Sequence, residues 1–336
     1  MQKQLNRREI LKASGLAAAG FALSPLLNLR AVAQDAAAPR KKVLFFTKSQ
    51  TFQHSVIARP QDKPSELAYA EKILKDLGAK HGFDVTCSKD GSVFAPEKMN
   101  AFDVFAFMTT GDLTQDSDKY FMKKGPDGKP APDPEKLLHK EPGMPAGGKE
   151  AFLEAIKNGK GFIGFHCASD TFHSGAHVRG KVDLLRDVNE QGQDEFDPYI
   201  QMLGGEFIVH GAQQEATLLA TDPKFPGASA FDKSRIKEEW YSLKNFAPDL
   251  HVILAQDCSG MRGPMYQRQP FPQTWARMHG KGRVFYTSLG HREDVWQRSE
   301  FLNLIVSALK WTTGQVDADL TPNLKRATPN AEVKRG

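Results

Sequence analysis

Short, nearly unbroken apolar runs alternate with segments of helical periodicity through the first half of this chain. That alternation constrains the fold more than any other feature. Residues 42–47 read Lys-Val-Leu-Phe-Phe-Thr, and 65–81 follow with apolar residues at helical spacing. The unit then recurs, with apolar runs at 83–88, 102–108 and 161–165 and a helical stretch at 148–158. Strands that are apolar without alternation are buried on both faces, and strands separated by helices pair in parallel. The expected architecture is α/β, a doubly wound, mostly parallel open sheet. The second half is richer in strand patterns, at 215–221, 236–241, 251–256, 273–278 and 283–288. His279-Gly280-Lys281-Gly282 joins the last two as a hairpin turn. A helix over 296–313 closes the domain, which spans 41–314, and the polar residues 315–336 read as a loose tail. Residues 111–148, rich in Gly, Pro and Lys, read as a long loop beside the carboxyl edge of the sheet, where a lid or pocket wall can lie.

The first 33 residues have a different character. Asn6-Arg7-Arg8-Glu9-Ile10-Leu11-Lys12 precedes an alanine-rich apolar stretch and then Ala31-Val32-Ala33. This pattern resembles a twin-arginine signal peptide, which is expected to be cleaved after export of the folded chain to the periplasm or beyond. The stretch is too short to span a bilayer stably, so no membrane span is expected after processing. Residues 1–33 carry Lys3, Arg7, Arg8, Lys12 and Arg30 against Glu9, so their removal takes four positive charges from a net +5. The remainder is close to neutral and has no basic stripe, which argues against nucleic acid as a partner. Three cysteines, Cys87, Cys167 and Cys258, are too few for a disulfide framework, so stability must come from the core.

Ten histidines are present, and several fall just after predicted strands, where open α/β sheets bind ligands. His54 follows the first strand, His166 ends the 161–165 strand, and His173 and His177 lie in the loop beyond it. His210 ends the 204–209 segment, and His291 follows the 283–288 strand. His81, His139 and His279 fall elsewhere and read as structural or solvated. Several converging histidines can serve as general acid and base, or as ligands for a divalent metal such as zinc. No compact metal-binding spacing is present; if a metal binds, His54, His166 and His210 are its first candidates. The exit of the 161–165 strand, Phe165-His166-Cys167-Ala168-Ser169-Asp170, has two readings. Either Cys167 is a nucleophile with a histidine base, or His166 is the functional group and Cys167 packs beneath it. Spacing favours the second.

Four motifs in order, Gly161-Phe162-Ile163-Gly164-Phe165-His166, Tyr199-Ile200-Gln201-Met202-Leu203-Gly204-Gly205-Glu206-Phe207, Lys237-Glu238-Glu239-Trp240-Tyr241 and Gly280-Lys281-Gly282-Arg283-Val284-Phe285-Tyr286-Thr287-Ser288-Leu289-Gly290-His291, resemble the ThuA-like, or trehalose-utilisation, family. The resemblance implies a fold like that of class I glutamine amidotransferases, a flavodoxin-like sheet. Histidine stands where those enzymes place their cysteine, which speaks against glutaminase chemistry. It also implies carbohydrate metabolism, with a link to keto-sugars, and points to His166, Glu239 and His291 as the acid-base residues. His54, Asp170, His173, His210 and Trp240 are then candidate substrate contacts, with Tyr241 and Trp275 as further stacking surfaces. The expected partner is a small carbohydrate, handled by isomerisation or cleavage beside a carbonyl. The competing expectations are a sugar-binding module serving an oxidoreductase, and a cysteine hydrolase using Cys167.

Overall fold

The strands of the computed structural model are β1 Lys41–Phe46, β2 Phe83–Ser88, β3 Val104–Phe107, β4 Lys119–Lys124, β5 Pro130–His139, β6 Gly161–Phe165, β7 Glu206–His210, β8 Gln214–Ala220, β9 Arg235–Glu238, β10 Tyr241–Lys244, β11 His251–Asp257, β12 Phe271–His279 and β13 Gly282–Thr287. The helices are α1 Tyr69–His81, α2 Pro96–Met99, α3 Gly148–Lys157, α4 Pro198–Leu203, α5 Ser299–Thr312 and α6 Leu324–Ala327. The structure describes residues 39–125, 127–172 and 196–331. The expected signal peptide and His173 lie outside them.

One nine-stranded sheet runs β2-β1-β3-β6-β13-β12-β11-β8-β9. The first five strands pair in parallel, and the remaining neighbours pair antiparallel. All four residues of β3 and all five of β6 are buried, as the unbroken apolar runs require of strands covered on both faces. Adjacent side chains of β1 show the two faces. Phe45 meets Phe165 and Trp296, on the side closed by Phe301 of α5, whereas Phe46 meets Phe94 and Phe107, on the side closed by Phe152 of α3. α1 reaches its sheet face through Ala70, Leu74 and Leu77, at helical spacing, and ends on Gly82, whose φ of 83° suits glycine. Among the described residues, no helix is long and apolar enough to cross a membrane.

Three segments depart from the sequence reading. The 111–148 stretch carries the β4–β5 hairpin, paired from Lys119↔His139 to Lys124↔Pro130. A two-stranded hairpin leaves one side of each strand without a ladder partner, so its prolines cost no cross-strand bond. The expected strand over 236–241 is two strands in different sheets, because β9 pairs with β8 while β10 pairs with β7. The break falls at Glu239 and Trp240. Residues 315–331, the described part of the expected tail, are strapped down rather than loose. Asn323 accepts from the Val252 amide (2.6 Å) and donates to its carbonyl (3.0 Å), and the wholly buried Arg268 guanidinium donates to the Ala331 carbonyl. Polar side chains do the tying, so an apolar periodicity had nothing to reveal.

Candidate metal centre

Three strand ends and one strand break converge at the carboxyl edge of the parallel strands. His54 stands in the loop beyond β1, His166 at the exit of β6, His291 in the loop beyond β13, and Glu239 in the break between β9 and β10. The chain leaves β6 so sharply that His166 adopts φ +41°, a left-handed conformation that costs a non-glycine residue about 1–2 kcal/mol. Strain of this kind at a buried polar residue marks a functional position.

Four ligand-type atoms meet here, all within 4.8 Å of one another. Glu239 Oε2 lies 3.0 Å from His291 Nδ1, 3.4 Å from His166 Nε2 and 3.7 Å from His54 Nε2, and the His166 and His291 nitrogens are 3.3 Å apart. Four ligands at zinc bond lengths sit roughly 3.3–3.4 Å apart in a tetrahedron, and four of the six separations here, at 3.0–3.7 Å, bracket that spacing. Zinc takes histidine and carboxylate ligands together, and the residues fit it.

The hydrogen bonds fix one tautomer. His166 Nδ1 lies 2.9 Å from the Ser288 carbonyl, which can only accept, so Nδ1 carries the hydrogen and Nε2 presents a lone pair to the carboxylate. A ligating histidine typically anchors its other ring N–H on a carbonyl in this way. His166 is wholly buried, and desolvation holds its pKa down to about 3, so the ring is neutral. Desolvation also lowers His54, whose buried Nδ1 has no hydrogen-bond partner. Burial works against a charge on His291 too, but Glu239 outweighs it and raises that pKa. Burial alone would raise Glu239 as well. The surrounding imidazoles instead hold its carboxyl far below the usual range.

Glu238 organises the loop. It is wholly buried; one oxygen accepts from the Gly290 (2.7 Å) and His291 (2.8 Å) amides, the other from the Glu239 amide (3.0 Å). Gly290, at φ +113°, lets consecutive amides face one carboxylate. The sequence reading missed this role. The only available signal was strand alternation through two adjacent glutamates, which turns one inward and leaves the other at the break.

The cluster faces a cleft of about 1020 Å³ whose lining includes Phe52, Asp112, Lys149, Asp170, Phe207, His210 and Tyr241. His210 contacts the other oxygen of Glu239, Oε1, at 3.2 Å, and its side chain is 42% exposed. It therefore stands on the wall beside the cluster, and His291 takes the ligand place expected for His210. Trp240 is a correction. It is wholly buried with its indole N–H donated to the Gln214 carbonyl (2.9 Å), so it cannot meet a substrate. Trp275 likewise donates into the core, to the Leu203 carbonyl. Cys167 is wholly buried, and burial pushes its thiol well above the ordinary range, so it cannot serve as an accessible nucleophile. Tyr241 reaches the site, its ring packed 4.1 Å from that of His166.

Comparison with known proteins adds a family context. Residues 188–312 match the family model described as ThuA, trehalose utilisation. Three of the four motifs quoted above lie in that span. A ThuA-like protein from Bacteroides uniformis is 18% identical, with a TM-score of 0.51 over 84% of this chain and 94% of that one. A ThuA-like protein from Parabacteroides merdae is 15% identical, with a TM-score of 0.49 over 84% and 92%. No curated protein matches. The ThuA resemblance carried by the motifs stands, and the first of these structures shares the mixed α/β fold with its large, mostly parallel sheet.

Proposed function

Proceeding from that ThuA resemblance, we propose that this chain is a metal-dependent enzyme acting on a sugar or keto-sugar, with His54, His166, Glu239 and His291 holding a divalent ion such as zinc at the floor of the cleft. One observation carries the reading. The buried, neutral His166 aims an unprotonated nitrogen at a carboxylate oxygen 3.4 Å away, two acceptors that share the one hydrogen on His291 Nδ1, whose place a cation would take.

A bound metal would supply Lewis-acid polarisation of a sugar oxygen. The chain's own residues supply the rest. His210 Nδ1 faces two acceptors, the Gly211 carbonyl at 3.0 Å and Glu239 Oε1 at 3.2 Å, so it carries the hydrogen. In the neutral ring Nε2 then carries the lone pair, and on the cleft wall it is suited to removing a proton beside a carbonyl and returning it. Phe52, 66% exposed and packed edge-on at 5.1 Å against His54, offers a face for the apolar side of a sugar ring. Asp112, Asp170 and Lys149 offer partners for hydroxyls. We read the fold as class I amidotransferase-like, with histidine at the strand-exit position, and we take residues 1–33 to export the chain by the twin-arginine route.

The test is elemental analysis of the untagged protein beside His166→Ala and Glu239→Ala. Near-stoichiometric metal in the parent and its loss in both variants is expected. Metal-free protein that takes up none of Zn²⁺, Mn²⁺, Co²⁺ or Ni²⁺ would overturn the reading.

A further inference from the structure

His291 is held in the wrong tautomer for metal binding. To ligate through Nδ1 the ring must carry its hydrogen on Nε2, which then needs an acceptor. The structure gives that nitrogen a donor instead. Gln213 Nε2 lies 2.9 Å from His291 Nε2. The amide cannot be read the other way round, because Gln213 Oε1 accepts from Arg292 Nη1 at 2.6 Å and a guanidinium only donates. Arg292 is fixed in turn by two bonds to Asp294, at 2.8 and 3.2 Å. Arg292 thus donates both to Asp294 and to Gln213, and from Arg292 through Gln213 and His291 to Glu239 donation runs in one direction. It ends with His291 Nδ1–H donating to Glu239 Oε2 at 3.0 Å, where a metal would displace that hydrogen.

We infer that Gln213, oriented by Arg292, is a positioning residue that locks His291 in its Nδ1–H tautomer and so sets how tightly the centre binds metal. Loading requires the Gln213 amide to turn over and present its oxygen to His291 Nε2–H, giving up the Arg292 contact. The inference rests on the metal reading above for its consequence, but the tautomer lock itself exists without metal. Partners of ligating histidines commonly change metal affinity by 10–100-fold, and this partner acts against binding until it turns.

Gln213→Glu replaces the donor with an acceptor while keeping a partner for Arg292. Gln213→Leu removes donor and acceptor without adding charge. In metal-free, full-length protein labelled with ¹⁵N-histidine, the imidazole nitrogen shifts of His291 should report Nδ1–H with a bare Nε2 in the parent, a hydrogen on both nitrogens in the Glu variant, whose ring stands between two carboxylates, and Nδ1–H held by Glu239 alone in the Leu variant. In competition with a chromophoric chelator, the Glu variant should bind Zn²⁺ on the order of ten-fold more tightly than the parent. Nε2–H on His291 in the metal-free parent, or unchanged shifts in both variants, would overturn the lock. Shifts that move while Zn²⁺ affinity stays the same in all three would overturn its control of loading. Failure of every sample to bind Zn²⁺ would sink the metal reading and the affinity claim with it, leaving the shifts to decide the lock.

Discussion

Two buried groups of charged side chains flank the carboxyl end of β1, and they are built on opposite principles. One gathers Lys48, Glu71, Lys89 and Glu141, each at most 4% exposed. Glu71 accepts from Arg59 Nε and Nη2, at 3.0 and 3.1 Å, from Thr47 and from the Ala68 amide. Lys89 donates to the Thr47 carbonyl, Lys48 to Ser117 and to the Glu141 carbonyl, and Glu141 pairs with His139 at 2.8 Å. The four charged groups there are all paired, although the Nδ1 of His139 lacks a partner. The other group sets one carboxylate, Glu239, among four imidazoles, with an orphaned nitrogen on His54 and an unprotonated nitrogen on His166 facing the carboxylate. The second group opens towards the cleft, and its satisfaction differs. A buried polar group completed within the chain serves the fold, whereas one left incomplete beside a cleft is where a ligand is to be sought.

Ligand removal should break the comparison most sharply. His166→Ala or Glu239→Ala should weaken Zn²⁺ binding by more than the roughly 100-fold upper range of an outer-shell partner, read by chelator competition, with the fold retained by circular dichroism. Retention of parental affinity in either variant would place the ligands elsewhere.

Acid stability comes next. The folded pKa of His166 is about 3 against an ordinary 6.5, so its contribution is fully present above pH 6.5 and is lost as pH falls toward 3. The shift corresponds to at most about 4–5 kcal/mol for the metal-free protein. Glu239, also lowered, adds to the same acid-side loss below its ordinary value of 4.5. Urea unfolding of metal-free His166→Gln between pH 7 and 4 should show a visibly flatter decline than the parent, and parallel declines would refute the assignment.

Glu71→Gln sharpens the contrast from the other side. It strips a charge from a completed group and leaves Arg59 and Lys89 underpaired, for about 3 kcal/mol of stability. Zn²⁺ affinity should stay within about two-fold, since loss of a structural pair has no reason to alter the ligands. A large affinity change would mean the two groups are coupled. The smallest effect is expected at Cys167→Ala, about 1 kcal/mol for a small buried side chain with no change in metal binding or turnover. Loss of turnover at unchanged stability would revive the cysteine hydrolase.

How much was legible depended on whether the signal was local. Strand-and-helix alternation, the buried β1, β3 and β6, and the placement of His54, His166 and His291 after strand ends follow from short stretches of sequence. The β4–β5 hairpin escaped because a strand with only one ladder partner tolerates prolines that a central strand does not. The strap at Asn323 escaped because it is made of polar bonds. Trp240 was misplaced because a residue at a strand break can turn either way.

The sequence by itself determined the layered α/β core and the ThuA motifs, since periodicity and order along the chain are one-dimensional properties. Which histidines share an ion-sized space, that Glu238 holds the Gly290 and His291 amides behind them, and that Gln213 opposes the ligating tautomer were decided only by the tertiary structure. Those are distances of 3–4 Å between residues up to 185 positions apart (His54 and Glu239), and no spacing in the sequence encodes a hydrogen bond's direction.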